Sequence, residues 1–189
     1  MASVKNMLHR LGVAAEFRDS PSECAHTDRF ILPGVGSFDE GIRRLKGSGW
    51  FSFLQDLPDT TQILGICLGM QLLGTSSEEG DETGLGRVPV HFERFDSEQL
   101  RVPHMGWNTV EPVTEEPLFD RSLTELRYYF THSYMAVCDE PGIETARTNY
   151  GTYFTSAFRV NNTRGVQFHP EKSHRFGMSL LEGWATLQC

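Results

Sequence analysis

Cys67 stands in the run Gly65-Ile66-Cys67-Leu68-Gly69, behind a short apolar stretch and ahead of Met70-Gln71-Leu72-Leu73, whose spacing suits a helix. A nucleophile at a sharp strand-to-helix turn needs small residues two before and two after it, because the strained backbone brings neighbouring chain close. The same turn sets the sulfur near a helix N-terminus, where backbone N–H dipoles favour the thiolate. Against this stands the ordinary fate of a lone cysteine in an apolar run, which is to be buried and inert. A thiolate nucleophile also needs a base and a group that orients the base. Gln167-Phe168-His169-Pro170-Glu171 offers both. An i, i+2 pair at the end of an extended segment puts His169 and Glu171 on one side, within reach of each other, with His169 free to reach across to Cys67. The competing reading is a strand-end histidine beside a solvated charge.

Acyl transfer from such a thiolate requires donors for the developing oxyanion. The amide of Leu68, next to the nucleophile, is one candidate. The loop Pro33-Gly34-Val35-Gly36 supplies further N–H groups from Gly34, Val35 and Gly36, unless it is a simple structural turn. It does not read as a phosphate cradle, since the P-loop lysine and the third dinucleotide-binding glycine are absent.

Elements that could carry these groups follow from the patterning. Val4, Met7, Leu8 and Leu11 recur at helical spacing behind Ser3 as the cap, with Gly12 as the stop just past the end, which predicts an opening helix. Residues 13–17 read as a strand, and so do Phe30-Ile31-Leu32. Residues 38–45 read as a helix, and 62–66 as a strand buried on both faces. Short strands broken by Pro and Gly occupy residues 88–137, a hairpin turns through Asn161-Asn162, and Phe176, Leu180, Leu181, Trp184 and Leu187 form the stripe of a last helix. The alternation predicts an α/β domain with a mostly parallel sheet and an antiparallel annex, spanning residues 1–189 as one domain.

Composition narrows the function classes. The 189 residues are 39% apolar and 22% charged, enough for a real core without staples. Seventeen Lys and Arg against twenty-five Asp and Glu leave a net charge of −8, and the single adjacent basic pair is Arg43-Arg44. This argues against a nucleic-acid partner. Cysteines 24, 67, 138 and 189 show neither CxxC spacing nor grouping, so no zinc site or disulfide framework is expected. The longest apolar stretch, residues 63–74, is too short to span a bilayer, and the N-terminus lacks the apolar core of a signal peptide. A cytoplasmic location without cofactor or metal follows as the expectation.

The segments ILPGVGSF, ILGICLGMQLL with SSEEG, VPHMGWN, FTHSY and GVQFHPEKS, in that order, resemble the class I (triad) glutamine amidotransferases. Within that family they resemble the glutaminase subunits of imidazole glycerol phosphate synthase. CLGMQ and HPE mark the family; PHMGWN with PGVGSF and HPEKS marks the subgroup. The resemblance implies a three-layer fold in which Cys67 attacks the glutamine carboxamide, His169 moves the proton to departing ammonia and Glu171 orients His169. It implies glutamine-binding positions at Gln71, Glu79 and His132-Ser133-Tyr134, with Glu79 suited to the substrate ammonium. It further implies that Trp107, Asn108 and Lys172 face a (β/α)8-barrel synthase in a heterodimer, which turns the ammonia into imidazole glycerol phosphate plus an aminoimidazole carboxamide ribotide.

One departure accompanies the match. Family members carry a buried strand and an Asp-Tyr-Gly-x-Gly-Asn loop before the helix that here starts at Ser3, so the resemblance implies a sheet with one strand fewer and an open apolar edge. Two alternatives stay open on the sequence: a paralogous glutaminase feeding another synthase, such as a sugar amidotransferase, and a non-catalytic interaction module. A cysteine peptidase with the same elbow would leave CLGMQ and PHMGWN without a role.

Overall fold

The strand Gln62–Cys67 (β2) is buried at every position, as its apolar sequence demands of a strand covered on both faces. The computed structural model describes residues 2–24 and 27–187. In it, β2 lies between two parallel neighbours, Arg29–Gly34 (β1) and Thr163–Val166 (β11), with Gly34 opposite Cys67 and Val166 opposite Ile66. These three strands carry the nucleophile and end at the same edge of the sheet.

Beyond β11 the sheet becomes mainly antiparallel. Thr152–Val160 (β10) forms a hairpin with β11 through Asn161, whose φ of 51° closes the turn. β10 also pairs with Tyr134–Cys138 (β8) and Glu144–Tyr150 (β9). β8 then pairs with Val90–Arg94 (β4), which runs parallel to the short Ser76–Ser77 (β3), while Glu111–Pro112 (β6) pairs with β9. His104–Thr109 (β5) and Arg127–His132 (β7) form a separate antiparallel ribbon. The whole is an α/β fold with a mixed sheet, whose parallel part is the part that serves the site.

Helices cover both faces. Ala2–Arg10 (α1) and His174–Ala185 (α5) bury Val4, Met7, Leu8, Leu180, Leu181 and Trp184 against Leu64 and Ile66 of β2. Phe38–Gly47 (α2), Trp50–Gln55 (α3) and Leu68–Leu73 (α4) bury Phe38, Ile42, Leu54 and Met70 on the other face, against Ile63. Side chains on β2 alternate between the two cores as the strand pleat requires. Arg29 ties β1 to the end of α5, donating to the carbonyls of Trp184 and Ala185 at 3.1 Å and to that of Leu187. A guanidinium there meets carbonyls at the negative end of the helix.

Two expectations are corrected. Residues 13–17 form no strand. Val13 donates its N–H to the Leu8 carbonyl at the end of α1, and the Val13 and Ala15 side chains pack on the core. No strand among the described residues pairs with this segment, so it belongs to no ladder. β1 is correspondingly the end of the sheet, half-buried at all six positions. Ser3 sits inside the first turn of α1 rather than at its cap.

Among the described residues no helix is long and apolar enough to cross a membrane, and no cluster of three metal-binding side chains occurs. Cys24, Cys67 and Cys138 are free thiols; Cys189 lies outside the described residues.

Candidate active site

Cys67 ends β2 and caps α4 with φ 54° and ψ −112°, a conformation that costs a non-glycine residue of order 1–3 kcal/mol. The neighbouring glycines make it possible. A Cβ on Gly69 would lie 1.7 Å from the Leu32 carbonyl oxygen, one on Gly65 2.7 Å from the Met70 Cα, and one on Gly34 3.0 Å from the Gly69 nitrogen. Side chains at these positions would push α4 off the strands, so the G-x-C-x-G spacing is a packing requirement of the elbow. Gly34 thus lies beneath α4, whereas Val35, Gly36 and Leu68 line the cavity above.

His169 arrives from the far side of β11. Its N–H donates to the Tyr129 carbonyl at 2.9 Å, and its own carbonyl accepts from Ser173 Oγ at 2.6 Å. Ser173 Oγ in turn accepts from the Tyr129 N–H at 3.0 Å, locking the residue to β7. His169 Nδ1 contacts Glu171 Oε1 at 2.8 Å. The pairing arises differently from the strand alternation expected. Pro170 opens a 3-10 turn over Pro170–Lys172, and this turn brings the Glu171 carboxylate back to the ring. Proline suits that first position because its φ is preset and its missing N–H would have no partner there.

Electrostatics reinforce the geometry. Burial works against a charged imidazole, but the nearby Cys67 and the hydrogen-bonded Glu171 carboxylate outweigh it and push the His169 pKa up to about 9. Burial also opposes the Glu171 carboxylate, yet the His169 hydrogen bond and charge hold it below its ordinary range. His169 Nε2 is buried without a hydrogen-bond partner of its own, which leaves it available to a reacting atom.

A cavity of about 340 Å³ opens over the sulfur, lined by Val35, Gly36, Cys67, Leu68, Gln71, Glu79, Pro103, Thr131, His132, Ser133, Tyr134, His169 and Lys172. Every expected glutamine-binding position is among them. Glu79 has one carboxylate oxygen on the Phe38 N–H at 2.7 Å, at the start of α2, so its other oxygen is the one left for a cation. Lys172 lines this cavity too, its ammonium 5.5 Å from the Tyr129 ring. Trp107 stands apart, 39% exposed and stacked on His174 at 5.6 Å. Asn108 turns inward, donating to His104 Nε2 and to the Asn149 carbonyl at 2.9 Å.

The sequence reading assigned no role to Gln167. Fully buried, it donates to Cys67 Sγ at 3.9 Å and accepts from Gln71 Nε2 at 3.2 Å. Its signal was present: it precedes His169 by two residues, and a buried glutamine amide always needs partners.

Residues 2–184 match the family model described as glutamine amidotransferase class-I. The chain is 44% identical to imidazole glycerol phosphate synthase subunit HisH 2 of Pseudomonas aeruginosa, covering 99% of this chain and 94% of that protein. It is 43% identical to the subunit HisH of Bdellovibrio bacteriovorus, covering 96% and 92%. Among solved structures, a glutamine amidotransferase superposes with a TM-score of 0.72 at 19% identity, over 95% of this chain and 92% of that one. A glutamine amidotransferase from Thermotoga maritima gives 0.63 at 18% identity, over 95% and 74%. With its elbow cysteine and paired histidine and glutamate on this fold, the chain belongs to the class I glutamine amidotransferases and, within them, to the family of the HisH subunits of imidazole glycerol phosphate synthase.

Proposed function

We propose that the chain, acting as one cytoplasmic domain, hydrolyses glutamine to glutamate and ammonia and passes the ammonia to a (β/α)8-barrel synthase partner. That partner forms imidazole glycerol phosphate and an aminoimidazole carboxamide ribotide in histidine biosynthesis. The observation that carries the reading is that the strained Cys67 elbow and His169, itself paired with Glu171, line one cavity of about 340 Å³ together with the expected glutamine-binding residues.

The chemistry follows from these groups. The Cys67 thiolate attacks the carboxamide carbon, and the carbonyl electrons move onto oxygen, where the N–H groups of Leu68, Val35 and Gly36 stabilise them. Collapse of that intermediate breaks the C–N bond, and the His169 imidazolium protonates the leaving nitrogen, giving ammonia and a thioester. Neutral His169 then takes a proton from water, whose oxygen attacks the thioester carbonyl. Glutamate departs and Cys67 is restored as thiolate with His169 protonated. Glu171 keeps Nδ1 protonated and the ring oriented throughout. Gln71, Glu79 and the 132–134 segment hold the amino-acid end of the substrate, and Trp107 with neighbouring exposed Met105 presents an apolar face to the partner.

Ammonia release from glutamine, measured with the barrel synthase and its ribotide ligand present, tests the assignment. Cys67→Ala abolishes it, since no other side chain at the elbow can form the thioester. Hydrolysis by that variant at the wild-type rate would overturn the reading.

A further inference from the structure

An imidazole in the cavity wall, His132, and one behind it, His104, form a chain that the triad does not use. His132 Nδ1 lies 2.8 Å from the Tyr134 carbonyl, and because that oxygen can only accept, Nδ1 carries the proton. Neutral His132 therefore accepts at Nε2, and its neighbour there is His104 Nδ1 at 3.0 Å, which must donate. His104 accepts in turn at Nε2 from Asn108 Nδ2 at 3.2 Å. The Asn108 amide has one possible orientation, since Oδ1 accepts the Thr109 N–H at 2.8 Å and Nδ2 also donates to the Asn149 carbonyl. Each donor and acceptor is assigned by the next, and the direction is unbroken from β5 to the cavity.

The surroundings fix the rings and keep them uncharged. His104 stacks between Phe130 at 4.8 Å and Tyr150 at 4.1 Å, and Phe95 meets both imidazoles edge-on. Both histidines are buried. Burial chiefly holds the His104 pKa down to about 4 and that of His132 down to about 3. A protonated ring would supply two donors and break the chain at its acceptor.

We propose that His104 and Asn108 are positioning residues for the substrate: the chain Asn108 to His104 to His132 to the Tyr134 carbonyl holds the 132–134 wall of the cavity in register with strand β5. This rests on the reading that the cavity takes glutamine. Neither His104 nor Asn108 lines the cavity, so each acts through His132 and Tyr134. The same strand exposes Met105 and Trp107 on its other side, so a load on that face reaches the substrate wall through hydrogen bonds of defined direction.

The experiment is a glutamine titration of the full chain carrying Cys67→Ala, in which binding is read without turnover. Adding His104→Phe, which keeps the ring and its stacking but removes both nitrogens, weakens glutamine binding about tenfold, the order expected for losing a buried hydrogen-bonded link. His104→Gln, whose amide can both donate and accept, restores binding to within about threefold. Asn108→Ala, at a half-buried position that tolerates truncation, weakens binding in the same direction and decides the matter if His104→Phe does not melt cooperatively. Wild-type affinity in a folded His104→Phe or in Asn108→Ala overturns the proposal, and so does equal weakening by Phe and Gln at position 104, which would mark packing alone. Absence of glutamine binding in the parent overturns this proposal together with the glutaminase reading, whereas normal turnover in the unmodified chain with unchanged variant affinities overturns the proposal alone.

Discussion

His169 is held in a state that an exposed histidine would not keep. Burial alone would neutralise it, but Cys67 on one side and a carboxylate 2.8 Å away on the other raise its pKa to about 9. At neutral pH His169 is therefore an imidazolium, ready to protonate the leaving nitrogen. Loss of that proton should set the alkaline limb of kcat/KM, which reports the free enzyme. With Glu171→Gln the carboxylate contribution disappears while the burial penalty stays, so the limb moves to lower pH and maximal activity falls by about 10- to 100-fold. A pH–rate profile of ammonia release checks both. An unmoved limb would mean that Glu171 does not hold the proton on His169.

At the scale of elements, the site depends on how closely α4 lies on the strands beneath it. Gly69→Ala places a Cβ 1.7 Å from the Leu32 carbonyl oxygen, with backbone rather than a flexible side chain as the obstacle. The helix must lift or β1 must move, and overpacking of this kind costs about 1–3 kcal/mol. A lower melting temperature together with loss of glutaminase activity is expected, measured by thermal melt and ammonia release. β1 and β2 should also differ in dynamics. β2 is hydrogen-bonded on both sides and fully buried, whereas β1 has β2 as its one strand neighbour among the described residues and is half-buried. Amide exchange monitored by mass spectrometry or NMR should thus be slower in β2 than in β1, because opening an edge strand breaks fewer contacts.

For the whole molecule, buried histidines of opposite tendency set the pH dependence of stability. His104 and His132 stay neutral in the fold, with pKa values depressed to about 4 and about 3, so their contribution is present above the ordinary value of 6.5 and lost as pH falls below it. His169, raised to about 9, contributes fully below 6.5 and loses its contribution as pH climbs through 9. Glu171, held low, adds a contribution present above 4.5 and lost as pH falls. The melting temperature should therefore peak near pH 6.5 and decline on both sides. His104→Phe should flatten the acid side and Glu171→Gln the alkaline side, as melts across the range would record.

Much of this was written in residue types and spacing. The G-x-C-x-G run, the His169-x-Glu171 pair, the buried β2, the amphipathic α1 and α5 and the hairpin at Asn161 follow from local rules: strained turns need glycine, buried strands need continuous apolar residues, and helices need a stripe. Tertiary structure decided what depends on neighbours. Residues 13–17 carry a strand-like pattern and form none, because a strand exists through its ladder and no described strand pairs with them. Glu171 reaches His169 through the turn that Pro170 starts, a geometry that i, i+2 spacing could not distinguish from a strand. Gln167 on the sulfur and the chain from Asn108 through His104 to His132 join segments up to a hundred residues apart. Their hydrogen bonds arise only when β2, β5, β7 and the end of β11 are stacked together, and single-residue patterns carry no record of that meeting.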